Sequence, residues 1–326
     1  MSQLLAPLTA FTAALLVVWW LASGRLATLI LDHPNPRSLH ASPVPRTGGL
    51  GLHAGILLAG AVIAPGLPAA LWAAYAALLL VSFLDDARGI PVPWRLAAHL
   101  AVSGLAAWAL LFPDYGWFAS ATAALAIAWM INLYNFMDGS DGLAGGMAVI
   151  GFAFYGAAAW MAGSADFALL NFSIAAAAAG FLVFNLPPAR IFMGDAGSVP
   201  LGFLAASLGA IGWRQGDWAA WFPLLVFAPF IADASVTLAR RLARREKLWQ
   251  AHRDHYYQRL VRMGWGHRKT ALFEYGVMAA GGVLALAALA FDAAARIAAL
   301  AAAVAAYGIM MALIDRRWRE EAGNRK

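Results

Sequence analysis

The chain has 326 residues, of which 62% are hydrophobic and only 12% carry a charge. A soluble domain carries about twice that charged fraction, so the composition excludes an ordinary soluble protein and predicts an integral membrane protein. The absence of cysteine excludes disulfides, iron–sulfur clusters and thiolate zinc sites. The net charge of +6 does not predict a nucleic-acid partner, because in a membrane protein the placement of charges matters more than their sum.

Apolar segments recur along the whole chain. A spanning helix needs about 20 mostly apolar residues. Eleven candidates are present: 4–24, 49–64, 67–84, 94–112, 117–134, 142–162, 166–185, 198–213, 218–239, 270–291 and 294–314. The first lacks the basic start of a signal peptide, so we interpret it as a span. We therefore predict an all-α polytopic membrane protein with about eleven transmembrane helices, in which residues 1–326 form a single domain.

Basic residues predict the orientation of these segments. The loops after odd-numbered segments, together with the C-terminal tail, hold 21 of the 23 lysines and arginines, and the exceptions are Arg214 and Arg296. Cytoplasmic loops are enriched in basic residues, so we place these loops and the C-terminus in the cytoplasm and the N-terminus outside. The polar groups of interest lie in the same loops, so any chemistry should face the cytoplasm.

The first cytoplasmic loop ends in Arg46-Thr47-Gly48-Gly49, where the second segment opens. Free backbone N–H groups at a helix start, next to a cation, can form a cradle for an anion. Arg46, Gly48 and Gly49 are therefore candidate phosphate-binding residues. The alternative is a proline-stiffened linker whose arginines only set the topology.

Two adjacent carboxylates, Asp85 and Asp86, close the third segment. Carboxylates at a helix C-terminus oppose the helix dipole, so this placement predicts a cationic partner such as a metal ion or a proton. One of the two could act as a base or hold Mg²⁺. The alternative is a pair of solvated acids at the membrane interface, partly neutralised by Arg88.

The stretch 132–146 joins two apolar segments and carries two amides, two carboxylates and four glycines. Its polar residues are Asn132, Asn135, Asp138 and Asp141, and its glycines let the backbone approach a ligand closely. Oxygen ligands of this kind suit a hard cation with phosphate attached. The alternative is a polar turn between two helices.

A second polar stretch, 185–198, places Asp195 just ahead of the eighth segment, with Gly194 and Gly197 beside it. Taken alone, this pattern is typical of a capped helix start. Ser198 would then be the N-cap, and Asp195 would compensate the helix dipole.

The last large loop, 240–269, contains ten basic residues against two acidic ones. We predict a cytoplasmic amphipathic segment that lies on an anionic inner leaflet, with Leu238, Leu242, Leu248 and Trp249 on or near one face.

Two histidines in this loop, His252 and His255, are three residues apart and would share one face of a helix. Together with Arg253 or Arg259 they could bind diphosphate oxygens. Zinc is an alternative ligand, but no third strong zinc ligand lies nearby in the sequence. A basic surface helix without a ligand is the other alternative.

Four motifs together resemble one family. They are Asp85-Asp86, the Asn-x-x-Asn-x-x-Asp-Gly-x-Asp-Gly stretch from Asn132, the Met-Gly-Asp-Ala-Gly-Ser stretch around Asp195, and His-Arg-x-His-x-Tyr-Gln-Arg-Leu from His252. Their order and predicted membrane side resemble those of the polyprenyl-phosphate N-acetylhexosamine-1-phosphate transferases, glycosyltransferase family 4. The Tyr-Gln-Arg-Leu ending is similar to that of the bacterial O-antigen initiating branch.

The resemblance implies a multi-pass transferase of the bacterial inner (plasma) membrane with its active site on the cytoplasmic face. A UDP-N-acetylhexosamine, such as UDP-N-acetylglucosamine or a deoxy variant, would give its sugar-1-phosphate to undecaprenyl phosphate, with Mg²⁺ or Mn²⁺ as cofactor. UMP would be released, and the lipid product would start O-antigen of lipopolysaccharide or a related cell-envelope glycan. A homodimer is compatible with the family. Phosphoryl transfer depends on positioning and charge neutralisation, which suits a basic site at a membrane boundary.

The resemblance also implies roles for the polar residues. Asp195 and Asn135 would hold Mg²⁺, and Asp85 would be the catalytic base, supported by Asp86. Whether Asp85 deprotonates the acceptor or another aspartate forms a covalent intermediate stays open. The residues that would frame the nucleotide, the sugar and the phosphates are Asn132, Asp138, Asp141, His252, Arg253, His255 and Arg259, with Arg46, Gly48 and Gly49 at the lipid phosphate.

Three alternatives remain. The phospho-N-acetylmuramoyl-pentapeptide transferase of the same family carries consecutive histidines where this chain has His-Arg-Asp-His. An ion-coupled secondary transporter would place its acids near the bilayer midplane, often in matching halves, whereas here they cluster at segment ends. A non-catalytic membrane scaffold would leave Asp85-Asp86 unexplained.

Overall fold

The computed structural model describes residues 3–23, 30–34, 39, 42–63, 66–247 and 252–324. This part of the chain is almost entirely helical, which confirms the predicted all-α class. The helices are α1 Ala6–Ser23, α2 Gly48–Ile63, α3 Ala69–Arg88, α4 Val92–Met137, α5 Leu143–Met161, α6 Ala165–Asn185, α7 Asp195–Gln215, α8 Trp221–Val226, α9 Ala228–Ala243, α10 Tyr256–Leu260, α11 Gly266–Leu289 and α12 Ala293–Asn324. In the first loop, two short strands, β1 Leu31–Asp32 and β2 Val44–Pro45, pair antiparallel.

Eight of the described helical stretches are long and apolar enough to cross a membrane, which confirms a polytopic membrane protein. Ten of the eleven predicted segments coincide with a helix or with part of one. The segment 218–239 is divided between α8 and α9, and Phe227 leaves the helical conformation between them. Pro229, in the first turn of α9, explains the break, because proline lacks the N–H that a continuous helix would need there.

Helix α4 folds back on itself. A straight helix of 46 residues would be about 69 Å long, roughly twice the thickness of a bilayer core. Pro113 lies in its middle, and Gly116 has a φ of 71°, so the regular helix is interrupted there. Arg95 in the first half and Asn135 in the second half both contact the start of α7, and His99 interacts with Asn132, so the two halves lie side by side. As predicted, they are separate apolar segments, and both ends of α4 lie at the same pole.

Glycines allow the central helices to pack closely. Helices α1 and α2 are antiparallel, since a side chain added at Gly51 would meet Val18 and one added at Gly55 would meet Ala10. Helix α7 is central, with 83% of its most apolar stretch buried, whereas the corresponding value for α12 is 11%. The bundle therefore has α7 as its core and α12 at its periphery.

Polar side chains collect at one end of the bundle, here called the polar pole. It is formed by the starts of α2, α4 and α7 and by the ends of α3 and α4. Because α1 is antiparallel to α2, it begins at the opposite pole. Asp315 in α12 is bonded to α10, which contacts the end of α4, so the C-terminal part of α12 lies at the polar pole. The two ends of the described chain thus lie at opposite poles, in agreement with the predicted topology.

The last large loop is divided into short elements. Helix α9 runs on to Ala243, and Arg245 then adopts a left-handed conformation with a φ of 58°. Leu242 on α9 is exposed. Six residues used in the topology and amphipathicity arguments lie outside the described residues: Arg25, Arg37, Leu248, Trp249, Arg325 and Lys326.

Candidate active site at the polar pole

Carboxylates from two helices meet at the polar pole and are bridged by two arginines. Arg95 Nη1, in the first turn of α4, donates to Asp85 Oδ2 at 2.6 Å and to Asp195 Oδ2 at 3.1 Å. Arg46 pairs with Asp86, and its Nη2 lies 3.8 Å from Asp195 Oδ1. The cationic partner that the Asp85-Asp86 pair predicted is therefore, in this structure, a pair of arginines.

Asp86 fixes the start of α7. Its two oxygens accept the backbone N–H groups of Asp195 at 3.0 Å and of Ala196 at 2.8 Å. A carboxylate at a helix N-terminus satisfies unpaired donors and interacts favourably with the helix dipole. Only 2% of the Asp86 side chain is exposed. Asp86 therefore supports Asp195 and Arg46 and does not itself face a ligand.

Asp85 is held at both carboxylate oxygens. The N–H of Ile90 donates to Oδ1 at 2.5 Å, and Arg95 occupies Oδ2. The tight turn that returns Ile90 to the end of α3 needs Gly89, whose φ is 70°. Because Arg95 covers Asp85, a ligand that draws the arginine away would expose this carboxylate.

The end of α4 completes the cluster. Asn135 Nδ2 donates to Ser198 Oγ at 3.0 Å, and the Asn135 side chain also interacts with the Asp195 carboxylate and favours its charged form. Asp138 follows the last residue of α4. Burial, followed by the negative charges of Asp195 and Asp86, raises the pKa of Asp138 well above its usual range. A cation among these oxygens would relieve the repulsion.

The donor atoms of the cluster suit Mg²⁺. Within the described residues, no three acidic or histidine side chains are already arranged as a metal site. Mg²⁺, however, usually takes only one or two protein carboxylates, and substrate phosphates and water complete its shell. Asp195 and Asn135, the predicted ligands, are in contact, and the excess negative charge around Asp138 favours a divalent cation there.

Acidic side chains also surround Arg46 and raise the pKa of its guanidinium. Burial would lower the pKa of its guanidinium, but Asp86, Asp195 and Asp32 outweigh burial and raise it. Arg46 thus stays a full cation among three carboxylates, and its role at a phosphate stays a prediction.

The predicted anion cradle at Gly48 and Gly49 is wrong for this structure. The N–H of Gly48 donates to the carbonyl of Phe192 at 2.9 Å, and the N–H of Gly49 donates to that of Met193 at 2.9 Å. These donors are therefore already used to join the start of α2 to the stretch before α7. Both glycines are buried against that stretch, and a side chain at Gly49 would overlap the backbone of Gly197.

Asp141 lies in a second network, next to the cluster. Its Oδ2 accepts the N–H of Ala189 at 3.0 Å, and Oδ1 lies 3.7 Å from His267 Nδ1. His267 Nε2 is 3.2 Å from the carbonyl of Leu39 and so carries the proton, which leaves Nδ1 to accept from Ser140 Oγ at 2.9 Å. Asp141 and His267 thus tie three loops together.

Asn132 faces the other half of α4. Its Nδ2 donates to the carbonyl of Ala128 at 2.7 Å, and its side chain also interacts with that of His99. In this structure Asn132 closes the α4 hairpin, and its role toward a nucleotide stays a prediction.

The histidine segment lies beside the stretch 132–146. Tyr257 donates to the carbonyl of Phe136 at 3.1 Å, and the rings of His252 and His255 are 4.9 Å apart. Arg253 is half-buried in the same segment. Arg259, in contrast, is paired with Asp315 at 2.7 Å and not with Asp85, Asp86 or Asp195.

Sequence reasoning missed Arg95, although its placement carried a signal. A cation in the first turn of a helix opposes the helix dipole, as Asp85 and Asp86 do at a helix end. Each unfavourable charge predicts an opposite partner, and the structure pairs them. His99, His267 and Asp315 carried no such signal, because their partners are 33 to 228 residues away in the sequence.

The multi-helical membrane fold, together with this cluster of carboxylates and arginines at the helix ends, defines an integral membrane enzyme. A family model described as glycosyl transferase family 4 matches residues 68–212. That range contains Asp85, Asn135 and Asp195 but ends before the histidine segment.

Curated relatives extend the match. The chain is 28% identical over 263 residues to the "Probable undecaprenyl-phosphate N-acetylglucosaminyl 1-phosphate transferase" of Bacillus subtilis, covering 75% of this chain and 73% of the relative. It is 29% identical over 265 residues to the "Undecaprenyl-phosphate alpha-N-acetylglucosaminyl 1-phosphate transferase" of Escherichia coli, covering 74% and 71%. The "Decaprenyl-phosphate N-acetylglucosaminephosphotransferase" of Mycobacterium tuberculosis is 27% identical over 330 residues, covering 84% and 81%.

The chain is therefore similar to polyprenyl-phosphate N-acetylglucosamine-1-phosphate transferases over about three quarters of its length or more, and residues 68–212 match the model of glycosyl transferase family 4.

Proposed function

We propose that this protein transfers a sugar-1-phosphate from a UDP-N-acetylhexosamine to undecaprenyl phosphate, with Mg²⁺ as cofactor, and releases UMP. UDP-N-acetylglucosamine or a deoxy variant is the proposed donor, since the relatives from B. subtilis and E. coli are named for N-acetylglucosaminyl 1-phosphate transfer to undecaprenyl phosphate. The lipid product would start O-antigen or a related cell-envelope glycan.

One observation carries the proposal: motifs far apart in the sequence converge at a single pole. Asp86 accepts the N–H of Asp195, Asn135 donates to Ser198 in the first turn of α7, and the histidine segment is joined to the end of α4 through Tyr257. The cluster thus offers arginines for phosphate oxygens and carboxylate and amide oxygens for a divalent cation. These are the requirements of phosphoryl transfer.

An apolar cavity of about 420 Å³ supports a long lipid as acceptor. It is lined almost wholly by apolar side chains of α4, α7 and residues 220–231, with Tyr155 of α5, and they include Trp129, Leu133 and Phe227. The lining residues of α4 run from Leu111 and Phe118, near the opposite pole, to Leu133, which is about 3 Å along the helix axis from Asn135. We infer that the polyprenyl chain occupies this cavity while its phosphate reaches the polar pole.

Binding of the donor would rearrange the ion pairs of the cluster. Arg46 and Arg95 would exchange their carboxylate partners for diphosphate oxygens, and Asp85 would lose its cover. Mg²⁺ held by Asp195 and Asn135 would neutralise charge on the same oxygens. Asp86 would stay in place, because its N–H donors belong to the backbone of α7.

The transfer step follows from these positions. An oxygen of the lipid phosphate attacks the β-phosphorus of the UDP-sugar, and the bond from that phosphorus to the bridging oxygen breaks. The electron pair leaves with UMP, and the uncovered Asp85 accepts a proton from a protonated lipid phosphate. Asp86 is not available as a covalent nucleophile, because its oxygens accept two N–H groups and pair with Arg46.

We further propose that the polar pole faces the cytoplasm of a bacterial inner membrane. Nearly all lysines and arginines fall in the loops assigned to that side, and a nucleotide sugar would arrive from the cytosol.

UMP release from purified protein tests the proposal. The reaction contains undecaprenyl phosphate, Mg²⁺ and one of three donors: UDP-N-acetylglucosamine, a deoxy variant or UDP-N-acetylmuramoyl-pentapeptide. We expect UMP and a diphosphate-linked lipid only with one of the first two donors and only with the acceptor present. Turnover with the pentapeptide donor would indicate the peptidoglycan branch, and solute uptake by proteoliposomes without UMP release would overturn the proposal in favour of a transporter.

A further inference from the structure

The position of the histidine segment 252–260 depends on contacts outside it. Helix α10 has only five residues and is too short to be stable by itself. Asp233 of α9 holds its N-terminal end, accepting the N–H groups of Tyr256 at 2.9 Å and of Tyr257 at 3.0 Å. The same carboxylate lies 3.1 Å from His255 Nδ1. One anchor of the segment is therefore an aspartate beside a site histidine.

The second anchor is Asp315, which lies near the end of α12. Its Oδ1 accepts from Arg259 at 2.7 Å, and its Oδ2 accepts from Arg240 at 2.6 Å and from Tyr256 Oη at 3.2 Å. The Tyr256 ring also contacts both guanidiniums, at 4.9 Å from Arg259 and 5.4 Å from Arg240. All polar atoms of the Asp315 side chain are thus used to hold α9 and α10.

Arg259 is the member of this network that depends most on Asp315. Its side chain is only 9% exposed, and a buried guanidinium that loses its carboxylate is costly. Arg240 is 39% exposed and can turn to water instead. Loss of Asp315 should therefore displace Arg259, and with it the turn that carries Tyr256 and Tyr257.

Helix α12 is otherwise a peripheral element. Near Asp315, its residues Met311 and Ile314 form a small separate core with Tyr256 and Leu260. This core and the Asp315 ion pairs connect α12 to α10, and α10 contacts the end of α4 through Tyr257 and the carbonyl of Phe136. The last helix is thereby linked to the active-site cluster through the histidine segment.

We propose that Asp315 is a positioning residue that fixes His252 and His255 beside the carboxylate cluster by clamping Arg259 and Arg240. The clamp lies outside the residues matched by the family model. Its catalytic consequence rests on the proposed function, whereas its effect on the position of the segment does not. Arg259 is thereby assigned a role in holding α10, in place of the phosphate contact that its sequence motif suggested.

A spin label tests the clamp without any assay of activity. The chain has no cysteine, so Asp254→Cys provides a single labelling site, on a side chain that is 40% exposed within the segment. In the labelled protein, Asp315→Asn should increase the mobility of the nitroxide, and Asp315→Glu should largely restore it. Glu320→Gln is the matched control, because Glu320 pairs with Arg316 on the same helix but is exposed. Unchanged mobility in Asp315→Asn would overturn the clamp.

Arg259→Gln provides a second test in case Asp315→Asn does not fold. It removes the ion pair between Asp315 and α10 but leaves Asp315 bonded to Arg240 and to Tyr256 Oη, so the nitroxide mobility should rise in the same direction. Mobility that stays at the wild-type value in this variant would also overturn the clamp.

Kinetics of the unlabelled protein then separate positioning from general damage. Asp315→Asn should raise the KM for the UDP-sugar about tenfold while kcat falls less, because the nucleotide-side contacts are displaced and the carboxylate cluster is intact. An equal fall in kcat with unchanged KM would contradict the assigned role. If the wild type shows no UMP release but the mobility changes as expected, the proposed function fails and the clamp stands.

Discussion

Replacing Arg95 with glutamine should separate stability from catalysis at the polar pole. Arg95 Nη1 serves both Asp85 and Asp195, but its side chain is 32% exposed, so the loss of these ion pairs should cost only about 1 kcal/mol of folding free energy. In the transition state the same guanidinium would neutralise phosphoryl oxygens, an effect worth about 10³-fold in rate, or about 4 kcal/mol. We therefore expect kcat/KM for UMP release to fall about 10³-fold while Tm changes by only about 3 °C.

The control for this prediction is Arg214→Gln. Arg214 also forms an arginine–aspartate pair, with Asp114 at 2.7 Å, but the pair is exposed and lies at the opposite pole. Its removal should leave both kcat/KM and Tm unchanged within error. If Arg95→Gln retained kcat/KM within about threefold of the wild type, Arg95 would have no role at the phosphates, and our interpretation of the cluster would be refuted.

Three further predictions concern the metal, helix packing and pH. Chelation of divalent cations should abolish UMP release, Mg²⁺ should restore it, and Asp195→Ala should not respond to Mg²⁺. Gly49→Ala should lower Tm by about 5 °C, because the added methyl group would overlap the backbone of Gly197 at the contact between α2 and α7. Asp138→Asn should raise Tm at pH 8 without divalent cations but not at pH 4. The raised pKa of Asp138 means that its protonated form is favoured in the folded state, so stability falls as the pH rises from the unfolded pKa through the folded one.

Each of these predictions has an outcome that contradicts it. Substantial turnover of Asp195→Ala with Mg²⁺ present would remove Asp195 from the metal site. Gly308→Ala is the control for Gly49→Ala, since a side chain at Gly308 would have no atom within 4 Å, and equal losses in both variants would show that the close contact is unimportant. If the Tm difference between Asp138→Asn and the wild type did not depend on pH, the charge of Asp138 would not be what destabilises the folded protein.

The sequence predicts the helical segments well because membrane helices are specified by local composition. Each helix needs only a run of apolar residues, and breaks such as Gly116 and Pro229 are local as well. The charges at helix ends were also informative, since Asp85 and Asp86 oppose the helix dipole and so require a partner. The helix-dipole argument predicts a cation near these carboxylates, but it does not distinguish Mg²⁺ from arginine.

The errors at the site come from long-range contacts. The N–H groups of Gly48 and Gly49 were expected to be free, but they bond to carbonyls about 144 residues away in the sequence. Arg259 was expected to bind phosphate, but Asp315, 56 residues further on, occupies its guanidinium. Nothing in the sequence around either position shows these partners, because only the packing of the helices brings them together.

The peripheral position of α12 makes the surrounding lipid a structural partner of the active site. With 32 residues, this helix is about 48 Å long, and only 11% of its most apolar stretch is buried by the rest of the protein, which leaves that stretch to face lipid in a bilayer. Such a helix adapts to a thinner bilayer by tilting, and tilting would shift Asp315 relative to α10. We therefore expect turnover in reconstituted vesicles to vary with acyl-chain length, and to vary less once Asp315 has been replaced by asparagine.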